Sequence, residues 1–223
     1  MPSGPNFASG MAQLFGTNNN FTATLNMSVG GMTLSGTFYA SGIKSRMDIS
    51  TSGIQGLPLA MSVISRMQES GLDHYSAVSR PDQGIDMLVF PGLNGYITTP
   101  SRSANFISTN MQLTVTDNGT TTLNGHTCAI ETVQMTNARG QTRTFTVWFA
   151  LDFSNFPIQI STAAPGESGI TVSFTNITLG GVDDSQFGFP TGYKRFYSPE
   201  QILLEMLSTA PTTVTVPADG IIR

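Results

Sequence analysis

The sequence predicts a mainly β protein with helices (α+β): one large antiparallel sheet of about ten or eleven strands, with two or three helices against one face. Two observations carry this. Charged residues make up only 11% of the 223 residues, while Gly, Ser, Thr and Asn abound, which suits exposed strand faces better than a helical bundle. Long stretches also alternate strictly between apolar and polar residues, the period of a half-buried strand.

The chain opens with Phe7, Met11, Leu14 and Phe15 at helical spacing after Asn6, a short helix that Gly16 and TNNN terminate, so that residues 1–19 are helix and loop. In FTATLNMSV, Phe21, Ala23, Leu25, Met27 and Val29 form a dry face. Gly30-Gly31 turns the chain, Met32, Leu34, Gly36 and Phe38 return it, and Ile43, Ser45, Met47 and Ile49 continue on a third strand after Ser41-Gly42. Leu57, Ala60, Met61, Ile64 and Met67 then switch to a helical stripe within residues 57–70, with Pro58 suited to its first turn and Gly71 to its end.

Strands resume in HYSAVSR and IDMLVFP, with PGLNG as a turn, and in MQLTVTD, where Asn118-Gly119 reads as a tight hairpin. TRTFTVWFALD sets Phe145, Val147, Phe149 and Leu151 on one side. FPIQIS and GITVSFTNITL follow; the dry face of the second changes parity after Phe174, which predicts a bulge near Thr175-Asn176. Ser198, Pro199 and Gln201 mark the start of a C-terminal helix over 198–210, with Ile202, Leu203, Met206 and Leu207 as its dry stripe, and 211–223 is a tail or a last strand. No linker divides residues 20–197, so the expectation is a single domain over 1–223.

Net charge is −4, and no cluster of Lys or Arg offers a phosphate-binding patch, so nucleic acid and anionic lipid surfaces are not expected partners. No apolar run approaches the ~18 residues of a membrane span. The opening MPSGPNFASG lacks a basic start and an apolar centre, so the chain is expected to be cytoplasmic or the mature part of an exported protein.

His126 and Cys128, in TLNGHTCAIETVQM, raise the question of a nucleophile with its base, half of a metal site, or simply part of a strand. On a strand they share a face ~6–7 Å apart, a poor distance for proton transfer. The favoured reading of Cys128 is a small buried hydrophobe, with catalytic and redox or metal roles as alternatives. Asp183-Asp184 reads as a solvated turn rather than a Ca²⁺ site, and Trp148 as a packed aromatic rather than a ligand platform. No hydrolase elbow, P-loop, zinc-protease or dinucleotide motif is present, so neither enzyme activity nor a cofactor or metal is expected. Eleven Met residues stand out. They fit ordinary core filling or, alternatively, a cavity for flexible chains.

The segments VFPGLNGYITTP, LNGHTCAIETV, VWFALDFSNFPIQI and FTNITLGGVDDSQFGFPTGYKRF resemble an exported bacterial family of unknown function, similar to the Lol-type (LolA/LolB-like) periplasmic lipoprotein carriers. The likeness runs from Phe21 to about Leu207 and is densest between Trp148 and Tyr193. It implies a half-open antiparallel β-barrel wrapped over the helices and a periplasmic or otherwise exported setting. The family's lid-holding arginine would fall near Ser41, and the nearest here is Arg46. The implied function is non-enzymatic binding or carriage of a lipid, a lipoprotein acyl chain or another apolar ligand, with lipid or an acylated protein as partner. The expected apolar cavity is lined by Leu25, Met27, Leu34, Phe38 and Met47 from the meander, Met61, Ile64 and Met67 from the helix, and Phe145, Val147 and Phe149 from the later strand. Burying a chain of ~16 carbons is worth at most about 13 kcal/mol, and only a deep dry pocket would gain a good share of it. The alternative is an envelope scaffold or sensor module that contacts an envelope protein through its surface, without a ligand cavity.

Overall fold

The computed structural model describes residues 11–56, 61–101, 112–136, 140, 142–162 and 169–209. Helix α1 (Met11–Leu14) leads into β1 (Asn20–Val29), β2 (Met32–Ser41) and β3 (Lys44–Gln55). Helix α2 (Met61–Glu69) precedes β4 (His74–Arg80), β5 (Ile85–Phe90) and β6 (Gly95–Pro100). The strands β7 (Gln112–Leu123), β8 (His126–Thr136), β9 (Thr142–Ala150), β10 (Phe156–Ser161) and β11 (Thr171–Leu179) follow, then the short β12 (Lys194–Phe196) and α3 (Pro199–Thr209). All twelve strands join one sheet in the order β12-β6-β5-β4-β3-β2-β1-β11-β10-β9-β8-β7, curved and open between its two edges. The expected antiparallel half-barrel is therefore present in outline as an unclosed sheet. The strand missing from the sequence reading is β12, three residues paired parallel to β6. It is too short to show an alternation, and Phe196 settles there because a Cβ on Gly95 would occupy the space of its ring, 3.0 Å from Cδ2.

Turn chemistry sets the registers. Gly30 and Gly31 both take positive φ and join Val29 to Met32, as a two-residue hairpin with this twist requires. The hairpin expected at Asn118-Gly119 is not formed. Strand β7 runs through it with a register shift between Asp117 and Thr120, and the chain turns instead at Asn124-Gly125, pairing Leu123 with His126. Both dipeptides suit a tight turn, but at the first the Asp117 carboxylate accepts the Gly119 N–H at 2.7 Å and Asn118 donates to Thr132 Oγ1 at 2.8 Å, which holds that stretch as a kink in the strand. The irregularity expected near Asn176 is found: Thr24 pairs Thr175 while Thr22 pairs Thr178, and Asn176 has φ 50°.

The main core lies on the concave side of β1–β3 and β8–β11. Phe21, Phe38, Phe156 and Phe174 are buried there together, and Phe15, just beyond α1, inserts among them. Its ring lies 4.9 Å from Phe21, 5.3 Å from Phe156 and 5.6 Å from Phe174. Each buried ring contributes about 1.5–3 kcal/mol by area, and each edge-on or tilted pair about 0.5–1.5 kcal/mol more.

A second core lies on the opposite face. The segment after β11, with a 3₁₀ turn at Asp184–Phe187, crosses the convex side of β2–β6 and buries Val182 and Phe187 against Val78, Met87 and Val89. Two arginines fasten this strap: Arg46 donates to the Gln186 carbonyl and Arg80 to the Phe187 carbonyl, each at 3.2 Å. Each is held by the aspartate two positions on, Asp48 at 2.7 Å and Asp82 at 2.8 Å. Lys44 pairs with Asp184, and Asn20 exchanges hydrogen bonds with the Val182 backbone. A third cluster joins Phe90, Ile97 and Phe196 to Ile202 of α3. The expected stripe of α3 is thus met at Ile202, but Leu203 is 52% exposed. Met206 and Leu207 have side chains outside the described residues, as have Ala12 and Met11, and the segments 1–10, 57–60 and 210–223 lie outside them altogether.

Helix α2 covers less than its amphipathic stripe suggested. Ile64 and Met67 are half-buried and belong to none of the buried clusters, and Val63 is exposed. The loop after it is pinned instead: a Cβ on Gly71 would meet the Gly92 Cα at 2.7 Å, and one on Gly92 would meet the Gly71 backbone closer still. Gly92→Ala is therefore expected to cost about 1–3 kcal/mol in urea unfolding through backbone overpacking. An unchanged midpoint would show that the two loops part without penalty.

The strap also has a pH signature. The Arg80 hydrogen bond holds the Asp82 carboxyl below the usual carboxylate range, against the opposing effect of burial. A depressed folded value means that this stability is present above the unfolded carboxylate value and is lost as pH falls through the folded one. Urea midpoints of wild type and Asp82→Asn should differ at neutral pH and converge on acidification; a gap that persists in acid would assign the effect to something other than this charge.

Candidate ligand cleft

The residues expected to line a cavity mostly fill the interior instead. Leu25, Phe38, Met47, Phe145 and Val147 are buried in the main core, and Met27, Leu34 and Phe149 pack against it. Cross-strand pairing explains this: Leu25 faces Gly36, Phe38 lies between Ala23 and Met47, and Val147 opposes Ile160, so the three regions present one continuous apolar face. Phe15 then covers its centre. A pit of about 20 Å³ remains between Phe15, Phe21, Phe38 and Ala40, room for about one water. Ile64 and Met67 stand apart on α2, and the Met61 side chain lies outside the described residues.

A larger opening lies to the side. A cleft of about 450 Å³ runs between the chain leaving α1 and strands β8 and β9. Leu14, Phe15, Ala129, Phe149 and Leu151 supply its apolar surface, Thr17, Asn18, Ser154 and Asn155 its polar rim, and Glu131 a carboxylate. Its size falls in the ~300–1,000 Å³ range of small-molecule sites. The rim is fixed where Asn18 donates to the Ser154 carbonyl at 2.8 Å, and where Ser154 and Asn155 both adopt φ 54° to turn β9 into β10. Phe149 is the one cavity residue from the sequence reading that lines this cleft. The signal for the rest was Glu131, a charge between the apolar Ala129 and Val133 on one face of β8.

Glu131 opposes Val147 on one side and Asp117 on the other. Desolvation first, and then the Asp117 charge, raise its carboxyl above the usual range. His126 and Cys128 do not form a nucleophilic pair. His126 Nδ1 meets Asp152 at 3.1 Å, while the Cys128 sulfur points its weak hydrogen bond at the His126 carbonyl at 3.5 Å. Cys128 is fully buried, and burial raises its thiol, which disfavours the reactive thiolate. Asp183 caps the 3₁₀ turn by accepting from Ser185 N at 2.8 Å, and Trp148 packs partly buried against the main core. Among the described residues, no three of His, Cys, Asp and Glu come together as a metal site, and no helix is long and apolar enough to cross a membrane.

No family model matches the chain, and no curated protein sequence does. Solved structures do. An uncharacterised conserved protein from Thermus thermophilus superposes over 83% of this chain and 96% of its own, with TM-score 0.50 at 9% identity. The lipoprotein LppX of Mycobacterium tuberculosis covers 75% and 91%, with TM-score 0.44 at 12% identity. MucB of Pseudomonas aeruginosa, in complex with MucA, covers 81% of this chain and 59% of its own, with TM-score 0.41 at 14% identity. The Thermus protein is near enough to speak for a shared fold; the other two scores are too low to add to it.

Because a raised carboxyl means the charge is disfavoured in the folded state, its penalty is absent below the unfolded value and appears as pH rises through the folded one. Glu131→Gln should therefore raise the urea midpoint at neutral pH and match wild type in acid. Lower stability of the variant at neutral pH would mean that the carboxylate is held by a favourable partner.

Proposed function

We propose that this protein is a non-enzymatic binding module of the cell envelope that holds a small amphiphile, or one apolar segment of a larger lipid or acylated protein, in the cleft beside α1. The observation that carries this reading is the cleft itself: an open-sided space of about 450 Å³ whose lining mixes Ala129, Phe149 and Leu151 with Thr17, Asn18, Ser154, Asn155 and a single carboxylate, and to which the largely buried Leu14 and Phe15 show only narrow edges. The envelope setting draws on the resemblance of the Trp148–Tyr193 block to exported carriers. The binding mode differs from a deep acyl pocket. With the concave face filled by phenyl rings, a bound chain has one side against Phe149 and Leu14 and the other toward solvent, so it gains only part of the ~0.8 kcal/mol available per CH₂.

A second reading, a protein-contact module, has its own observation. Strand β7 forms one edge of the sheet and is exposed along nearly all of its length, with Leu113 and Val115 uncovered. An edge strand of this kind can accept a strand from a partner.

Native mass spectrometry of the full chain isolated from cell envelopes, before and after delipidation, separates the two. The cleft reading predicts a bound small amphiphile in wild type that is absent from Phe149→Asp of unchanged fold. A chain that emerges empty and takes up no alkyl probe after delipidation would remove the first reading and leave the second.

A further inference from the structure

Glu131 is placed as no ordinary surface carboxylate is. It sits midway along β8, on a face it shares with Thr127, Ala129, Val133 and Met135, and Leu14, Phe15 and Phe149 line the same cleft. Asp117, of the same sign, lies opposite it on the adjacent strand. Among the described residues, the lining of the cleft contains no Lys, Arg or His. Among the described residues, Glu131 has neither an ion pair nor a hydrogen bond from a side chain. A half-buried carboxylate beside a second one is costly to the fold unless something positive meets it, and the described residues supply nothing positive there.

We propose that the cleft selects amphiphiles whose polar end is a cationic hydrogen-bond donor, a primary ammonium above all, set against Glu131 while the hydrocarbon lies on Phe149, Phe15 and Leu14. This rests on the cleft being a ligand site and adds the chemistry of its ligand. The geometry divides the work as small-molecule sites commonly do: apolar walls supply affinity, and one charged group fixes orientation and choice. An ammonium at the carboxylate would relieve both the desolvation of Glu131 and its repulsion by Asp117. A carboxylate-headed chain would add a third negative charge to the same place. A fatty acid and a fatty amine of equal length should therefore be told apart by a site whose apolar walls treat them alike.

The test is calorimetric titration of the delipidated full chain at neutral pH with dodecylammonium, dodecanoate and dodecyl maltoside, each below its micelle-forming concentration. The expected result is dodecylammonium bound about tenfold more tightly than dodecanoate, equivalent to about 1.4 kcal/mol, with the neutral probe between them. Glu131→Gln should close the gap by weakening the amine while leaving the neutral probe unchanged. Phe149→Ala should weaken all three. Equal affinities in wild type, a preference that survives Glu131→Gln, or binding indifferent to Phe149→Ala would each overturn the proposal, the first two while leaving the cleft a ligand site. Absence of binding by all three probes would instead remove the cleft reading itself. Thermal unfolding of Glu131→Gln confirms that the comparison is made on a folded chain.

Discussion

The insertion of Phe15 into the ring cluster of the sheet is the contact on which the architecture depends. Strands β1, β2, β10 and β11 each contribute a phenyl ring to one concave patch, and the chain ahead of β1 contributes the fifth. A curved sheet has an inner face that must be covered, and here the cover comes from the polypeptide itself rather than from a guest. That choice displaces any ligand to the side, where Leu14 and Phe15 have their remaining surfaces exposed along the cleft. Packing and function are thus coupled through one residue: Phe15 belongs both to the core and to the wall of the candidate site.

The remainder of the sheet solves the same problem from the other face. Beyond β3 the buried positions change sides, so that Ser76 and Val78 of β4 point into the convex cluster beneath the strap. The strap carries Phe187 as its apolar anchor and two arginine-held carbonyls as its polar ones, which satisfies backbone groups that the crossing would otherwise leave unpaired. Tyr75 packs against both the main core and the cluster around Phe196, which joins the two halves of the inner face. The same strap then delivers β12 to the outer edge of β6, so one edge of the sheet is finished by a short strand while the other, β7, stays long and exposed.

Much of this was legible in the residues. The meander of β1–β3 was readable because alternation is strict and its first turn is Gly-Gly, and the change of parity after Phe174 located a bulge to within a residue. The Asn118-Gly119 hairpin failed because a dipeptide signal cannot tell a turn from a strand kink when a neighbouring aspartate satisfies the glycine N–H and a second Asn-Gly lies six positions on. Strand β12 was unreadable because its pairing depends on an absent Cβ at Gly95, far away in sequence. The apolar faces of the meander and of Phe145 and Val147 agree with the structure, whereas Leu151 and the helical Leu203 are exposed; alternation reports that a residue is covered and not what covers it. Leu25 and Val147 would carry the same pattern beneath a ligand as beneath Phe15. For Glu131 the sequence did hold a sign, since a charge set between apolar residues on one strand face is a local conflict of the kind that functional positions retain.

The most direct measurement is therefore on Phe15. If its ring is the cover of the concave face, Phe15→Ala should lower the free energy of unfolding in urea by about 3–5 kcal/mol, the cost of emptying a well-packed aromatic site. The same variant should open a dry space beneath Phe21 and Phe38 that takes up a small apolar guest such as benzene, which wild type excludes. An unchanged urea midpoint, or a wild-type protein that already admits the guest, would contradict the claim that the chain fills its own interior.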